Sequence, residues 1–173
     1  MTARIFVDTN ILVYVYDVSH SSKQAVASDR LKMLWQQQCG RTSVQVLNEL
    51  YVTLTRKLAH ALRANEAWDI VHALMAWEPQ PVDRDLLRCA REIEQRYRIG
   101  WWDSLIVAAA QLQHCTVLLS EDLQAGICFG PVRVVNPFIA EVQESAAPYA
   151  LEPELPTRHR ARGRPKKTIG SLL

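Results

Sequence analysis

Apolar and polar positions alternate between two rhythms along this chain. A short run, Ile5, Phe6 and Val7, leads directly into Asp8, and apolar residues resume at Ile11. The run predicts a buried strand over residues 4–7 feeding a helix over about 9–16. Residues 21–40 predict a second helix, with serines at its start and Gly40 placed to end it. Over residues 42–59, Val46, Leu47, Leu50, Leu54 and Leu58 recur at helical spacing, and Thr42 with Gln45 has the spacing of a capping box. A helix over 64–77 ends before Pro79 and Pro81. Residues 81–100 predict a short extended piece and then a helix closed by Gly100. The segment WWDSLIVAAAQLQ is apolar on several sides, which predicts a central helix. Strands are expected at 115–120 and 132–137, the second stopped by Pro137. Strands alternating with helices, and no internal repeat, define an α/β domain with a parallel sheet.

Composition narrows the class. The 173 residues are 49% hydrophobic and 22% charged, as expected for one soluble globular domain. Asp8 interrupts the first apolar run before a signal peptide could be complete. The apolar run at 105–110 is too short to span a bilayer. A cytoplasmic protein without a membrane partner is expected. Cys39, Cys89, Cys115 and Cys128 form no CxxC pair, and the five histidines form no HxxxH or HExxH spacing, so zinc is not expected.

Charge is unevenly distributed. Residues 151–173 hold six Lys/Arg against two Glu, while the whole chain carries a net +2, so residues 1–150 are mildly acidic. Four of the eight prolines fall after residue 145. A folded domain over 1–144 and a disordered basic tail over 145–173 are expected.

Four acids stand where apolar elements begin or end. Asp8 and Asp122 follow predicted strands, and the carboxyl edge of a parallel sheet is where ligands bind. Asp103 lies in the first turn of an apolar helix, and Glu49 borders the core face of the 42–59 helix. Each has an ordinary structural explanation: Asp8 and Asp103 as helix N-caps, Asp122 as a turn residue, Glu49 as a solvated side chain. If the four converge, their mutual repulsion calls for a divalent cation, and all-oxygen ligands suit Mg²⁺ or Mn²⁺. Glu121 adjoins Asp122, and spacing alone does not say which carboxylate faces the cluster.

The segments FVDTNILVY, QVLNELYVTLTRKL, WWDSLIVAAA and LLSEDLQAG…VRVVNPF together resemble the PIN-domain family, specifically its VapC-type toxin ribonucleases of type II toxin–antitoxin systems. The resemblance runs from about Ile5 to Phe138. It implies a PIN-like α/β fold, with a central mostly parallel sheet flanked by helices on both sides. It also implies an endoribonuclease with Asp8, Glu49, Asp103 and Asp122 as catalytic metal ligands, and Asn10 and Ser120 as supporting residues. An RNA substrate, a cognate antitoxin and a homodimer follow on the same terms, with Leu31, Trp35 and Tyr51 as candidate contact residues. A site of the haloacid-dehalogenase kind would want a second Asp where Asn10 stands, and no glycine-rich phosphate loop occurs.

The tail departs from that pattern. RHRARGRPKK, at 158–167, is similar to an AT-hook, which would place Arg162, Arg164, Lys166 and Lys167 on nucleic acid. A generic polyanion-binding arm fits the same residues. Two other functions compete with the toxin: a non-toxin PIN-type nuclease in RNA processing or DNA repair, and a DNA-binding module acting through the tail.

Overall fold

The computed structural model describes residues 3–139. Its elements run β1 (Ile5–Val7), α1 (Thr9–Tyr14), α2 (Ser21–Gln36), β2 (Gly40–Arg41), α3 (Val44–Arg56), α4 (Ala64–Leu74), a 3₁₀ turn (Met75–Trp77), α5 (Arg84–Tyr97), α6 (Trp101–Leu112), β3 (Val117–Leu119), β4 (Cys128–Phe129) and β5 (Val132–Val135). The five strands form one sheet in the order β2-β1-β3-β5-β4. Every pairing is parallel except the antiparallel β4–β5 ribbon. This is the mostly parallel α/β architecture that the sequence implies.

Consecutive residues of a strand face opposite sides of a sheet. Phe6 and Val7 are both buried, as are Leu118 and Leu119. Both faces of the central strands are therefore covered, the usual condition for parallel strands. Farther out, Val132 and Val134 are buried while Arg133 between them is exposed, so only one face of β5 needs cover. Helix α6 is the element buried on most sides: Ser104 to Ala110 are all buried, as its apolar sequence predicts.

Several boundaries differ from the sequence expectation. Gly40 does not end α2; Gln38 takes the left-handed conformation there (φ 53°), and Gly40 starts β2. Its lack of a side chain has another cause, because a Cβ at Gly40 would lie 2.6 Å from the Trp77 ring. Gly100 does not close α5 either. Arg98 does so in a left-handed conformation, and Gly100 is the N-cap of α6. The cap of α3 is Ser43 rather than Thr42, its Oγ accepting from the Val46 N–H at 3.3 Å. The Thr42 hydroxyl instead donates to the Val7 carbonyl across the β1–β2 edge. Strands β2 and β4, of two residues each, carry no pattern long enough to read.

Trp35 packs against Trp77 with ring centroids 5.2 Å apart, and Leu31 and Tyr51 are partly buried against the core. Among the described residues no helix is long and apolar enough to cross a membrane. The expected domain limit at 144 and the AT-hook-like tail lie outside the described residues.

Candidate metal centre

The parallel pairing of β1 with β3 sets Val7 beside Leu119 and delivers the next residues of both chains to one edge. The ladder continues past the strand ends: the Asp8 N–H donates to the Leu119 carbonyl at 3.0 Å, and the Ser120 N–H to the Val135 carbonyl at 3.1 Å. Asp8 is the extended N-cap of α1, and its Oδ1 accepts from the Thr9 N–H at 2.7 Å. The capping role and the cluster role thus coexist. Ser120, wholly buried, donates its hydroxyl to Asp8 Oδ2 at 2.7 Å and accepts from the Leu123 N–H.

Asn10 ties the centre together. Its Nδ2 donates to Asp8 Oδ2 at 3.1 Å and to Asp122 Oδ2 at 2.9 Å, while its Oδ1 accepts from the Glu121 N–H at 3.2 Å. One amide therefore holds two carboxylates side by side, where an aspartate at position 10 would add a third charge. Glu49 approaches from α3. Its Oε2 accepts from the Thr9 hydroxyl at 2.9 Å and its Oε1 from Gln45 Nε2 at 3.1 Å. Asp103 is the third residue of α6, half-buried, with its N-cap role taken by Gly100.

The electrostatics of the group are those of crowded, partly dry acids. Burial is the main cause that pushes Asp8 up to about 6; the Asp122 and Glu49 charges push the same way, against the bonds from Ser120 and Thr9. Asp103 is also raised, first by burial and then by the Asp122 charge. Asp122 is thus felt by both Asp8 and Asp103, and Glu49 by Asp8, so all four predicted acids share one end of the sheet. Among the described residues, none of the hydrogen bonds to them comes from Lys or Arg.

Among the described residues, no three His, Cys, Asp or Glu side chains close into a ready-made ion cage. The donor set still fits a hard divalent ion, which takes oxygen ligands and commonly keeps several waters between one or two carboxylates. Asp8, desolvated and repelled by two like charges, is the group that such an ion would relieve most.

Glu121 turns elsewhere. Its carboxylate pairs with Lys23 of α2, which also donates to the Tyr14 hydroxyl at 3.0 Å. Burial raises Glu121, but the hydrogen bonds from Lys23 and Tyr14 and the Lys23 charge outweigh it and hold the carboxyl below its ordinary value. Asp122, not Glu121, is the acid on Asn10. Thr9, which orients Glu49 together with Gln45, carries no sequence signal for that role; Gln45, expected only as part of a capping box, stands four residues before Glu49 on one helix face. Lys23 carries no such signal.

The chain belongs to the PIN domain family, whose model matches residues 5–125. Its fold is similar to that of a chain in a toxin–antitoxin complex from Klebsiella pneumoniae, at 20% identity and a TM-score of 0.57, covering 78% of this chain and 98% of that one. A second similar structure is the sarcin–ricin loop cleaving toxin VapC20 of Mycobacterium tuberculosis, at 22% identity and a TM-score of 0.46, covering 66% of this chain and 86% of that one. No curated protein matches the chain.

Proposed function

We propose that this chain is a Mg²⁺- or Mn²⁺-dependent endoribonuclease of the VapC type, with Asp8, Glu49, Asp103 and Asp122 as its metal ligands. The observation that carries this reading is the gathering of the four acids near the carboxyl ends of β1 and β3 without a cation among their hydrogen-bond partners in the described residues. Divalent ions held by these four acids would supply charge relief on the phosphoryl oxygens, activation of water and help for the leaving oxygen. The chain's own groups fix the geometry. Ser120, Asn10 and the Thr9 N–H lock the Asp8 carboxylate, Asn10 sets Asp122 beside it, and Thr9 with Gln45 orients Glu49. No histidine or lysine base is required for such hydrolysis.

Purified protein should cleave single-stranded RNA with Mg²⁺ or Mn²⁺, and not in excess chelator. Asp8→Asn should lower kcat at least roughly a hundredfold, since charge stabilisation by bound metal is worth several kcal/mol. Full cleavage in chelator, or by Asp8→Asn, would refute the reading.

A cognate antitoxin is proposed as the partner, supported by the likeness to the Klebsiella pneumoniae complex. A homodimer, a cytoplasmic location and a domain limit near 144 remain part of this reading. The segment holding Arg162, Arg164, Lys166 and Lys167 is assigned to nucleic-acid contact. Truncation at 150 should spare cleavage of a short RNA and weaken duplex binding at low salt, because counterion release drives such contacts. Undiminished duplex affinity after truncation would dismiss that assignment.

A further inference from the structure

Lys23 stands beside the acid centre but belongs to a different set of contacts. Its ammonium donates to Glu121 and to the Tyr14 hydroxyl, and lies 4.5 Å from the Tyr14 ring centroid and 5.3 Å from that of Phe138. Tyr14 and Phe138 meet edge to face at 5.0 Å, so the two rings form a wall around the ammonium. An ammonium has three N–H donors. Two are engaged here among the described residues.

The cluster is joined to the acid centre through one short connection. The Glu121 N–H donates to Asn10 Oδ1, the same amide whose nitrogen holds Asp8 and Asp122. Lys23 is therefore a cation paired with the residue that precedes Asp122, beside acids that repel a polyanion. A substrate phosphate arriving there meets a lysine already balanced by a carboxylate. Lys23 and Glu121 keep about a third and a quarter of their side-chain surface exposed. Ion pairs that open to water contribute little and exchange partners easily.

We propose that Lys23, walled by Tyr14 and Phe138, is the binding site for an RNA phosphate next to the scissile one, and that Glu121 is an internal counter-anion which this phosphate displaces. The inference rests on the ribonuclease reading above. It gives Glu121 a role that is not metal ligation: the carboxylate holds Lys23 in place and out of the acid centre until RNA arrives. A phosphodiester binds a lysine as a point charge and can accept the remaining N–H while Glu121 swings to solvent.

The test is a mutant cycle on the full chain. The probe is a labelled 2′-O-methyl hexanucleotide in Ca²⁺, read by anisotropy, with KM and kcat on the matching RNA in Mg²⁺. Lys23→Ala should weaken binding about tenfold, the worth of one charge-assisted hydrogen bond, and raise KM rather than lower kcat. Lys23→Arg should restore most of the affinity. Glu121→Gln should tighten binding about two- to threefold by freeing Lys23, and should change nothing once Lys23 is Ala. Wild-type affinity in Lys23→Ala, or Glu121→Gln weakening binding or lowering kcat as a lost metal ligand would, overturns the proposal. Should Lys23→Ala fail to fold, Lys23→Arg and Glu121→Gln still decide it. If even the wild type leaves RNA intact in Mg²⁺ while the binding cycle holds, the ribonuclease reading fails and the phosphate site stands.

Discussion

Around Asp8 the chain collects carboxylates held by a serine, an asparagine and a backbone N–H; around Glu121, one residue before Asp122, it collects a carboxylate with a lysine and a tyrosine. Burial acts in the same direction on both acids, raising each. The outcomes are opposite, because among the described residues Asp8 has only neutral donors and two like charges nearby while Glu121 has a cation. Desolvation sets the stakes at this edge, and the partner set decides the sign. Among the described residues, the first region holds like charges and no cation, and the second contains one.

The widest gap between the regions should appear in catalysis. Asp122→Asn should cost at least roughly a hundredfold in kcat, as loss of a metal-bearing carboxylate does, while Glu121→Gln moves KM instead. Steady-state kinetics on one RNA in Mg²⁺ measures both, and the reverse pattern would exchange the two acids' roles.

Stability against pH separates the regions next. In metal-free protein the folded pKa of Asp8 is about 6 against an unfolded 3.8. The native state holds more protons between those values, so the Asp8 contribution is full below about pH 4 and lost as pH rises through 6. The cost of the bare charge above pH 6 is about 3 kcal/mol. Chelated wild type should therefore unfold at lower urea at pH 8 than the Asp8→Asn variant, and the two should converge near pH 4. The gain in Asp8→Asn should fall short of the full figure, because its new amide faces the Asn10 amide nitrogen. A wild type as stable as Asp8→Asn at pH 8 would mean that the charge is not buried.

Gly40→Ala serves as a change remote from both regions. Its Cβ would press on the Trp77 ring at 2.6 Å, and overpacking of that kind costs about 1–3 kcal/mol. Denaturation should show a uniform loss at all pH values. A loss that varied between pH 4 and pH 8 would connect the Trp77 side to the acid centre.

The smallest effect expected is stabilisation by Mg²⁺. At ten times its Kd, an ion binding only the folded state adds about 1.4 kcal/mol. Protons compete for Asp8, so the rise in Tm should be clear at pH 8 and nearly absent at pH 5. It should persist in Glu121→Gln and vanish in Asp8→Asn. Vanishing in Glu121→Gln would merge the two regions into one ion site.

Much of this arrangement was legible along the chain, wherever a segment's own pattern was long enough to force its environment. Helices α3, α4 and α5 each bury a periodic face, α6 is buried on most sides, and β1 and β3 are short runs of branched and aromatic residues ended by polar ones. Those periods place Asp8 and Asp122 after strands and Asp103 in a first helical turn, because the local chain alone sets where an element stops. The PIN family model covers the same stretch, 5–125.

Other features exist only through partners far away in sequence. Strand β2 is two residues, and only its pairing with β1 makes it a strand; the glycine that looks like a helix stop is there because Trp77, from another element, lies across it. Thr42 and Ser43 both have the chemistry of a cap, and the choice fell to Ser43 because the Thr42 hydroxyl reaches Val7 on the neighbouring strand. The same holds at the site. Spacing could not say which of Glu121 and Asp122 joins the acids, since both are carboxylates on one short connection. Lys23, 98 positions away, draws Glu121 aside, and Asn10, 112 positions away, takes Asp122. Chain-local pattern determined which acids reach this edge; their division into a cluster and a pair was left to contacts that only folding creates.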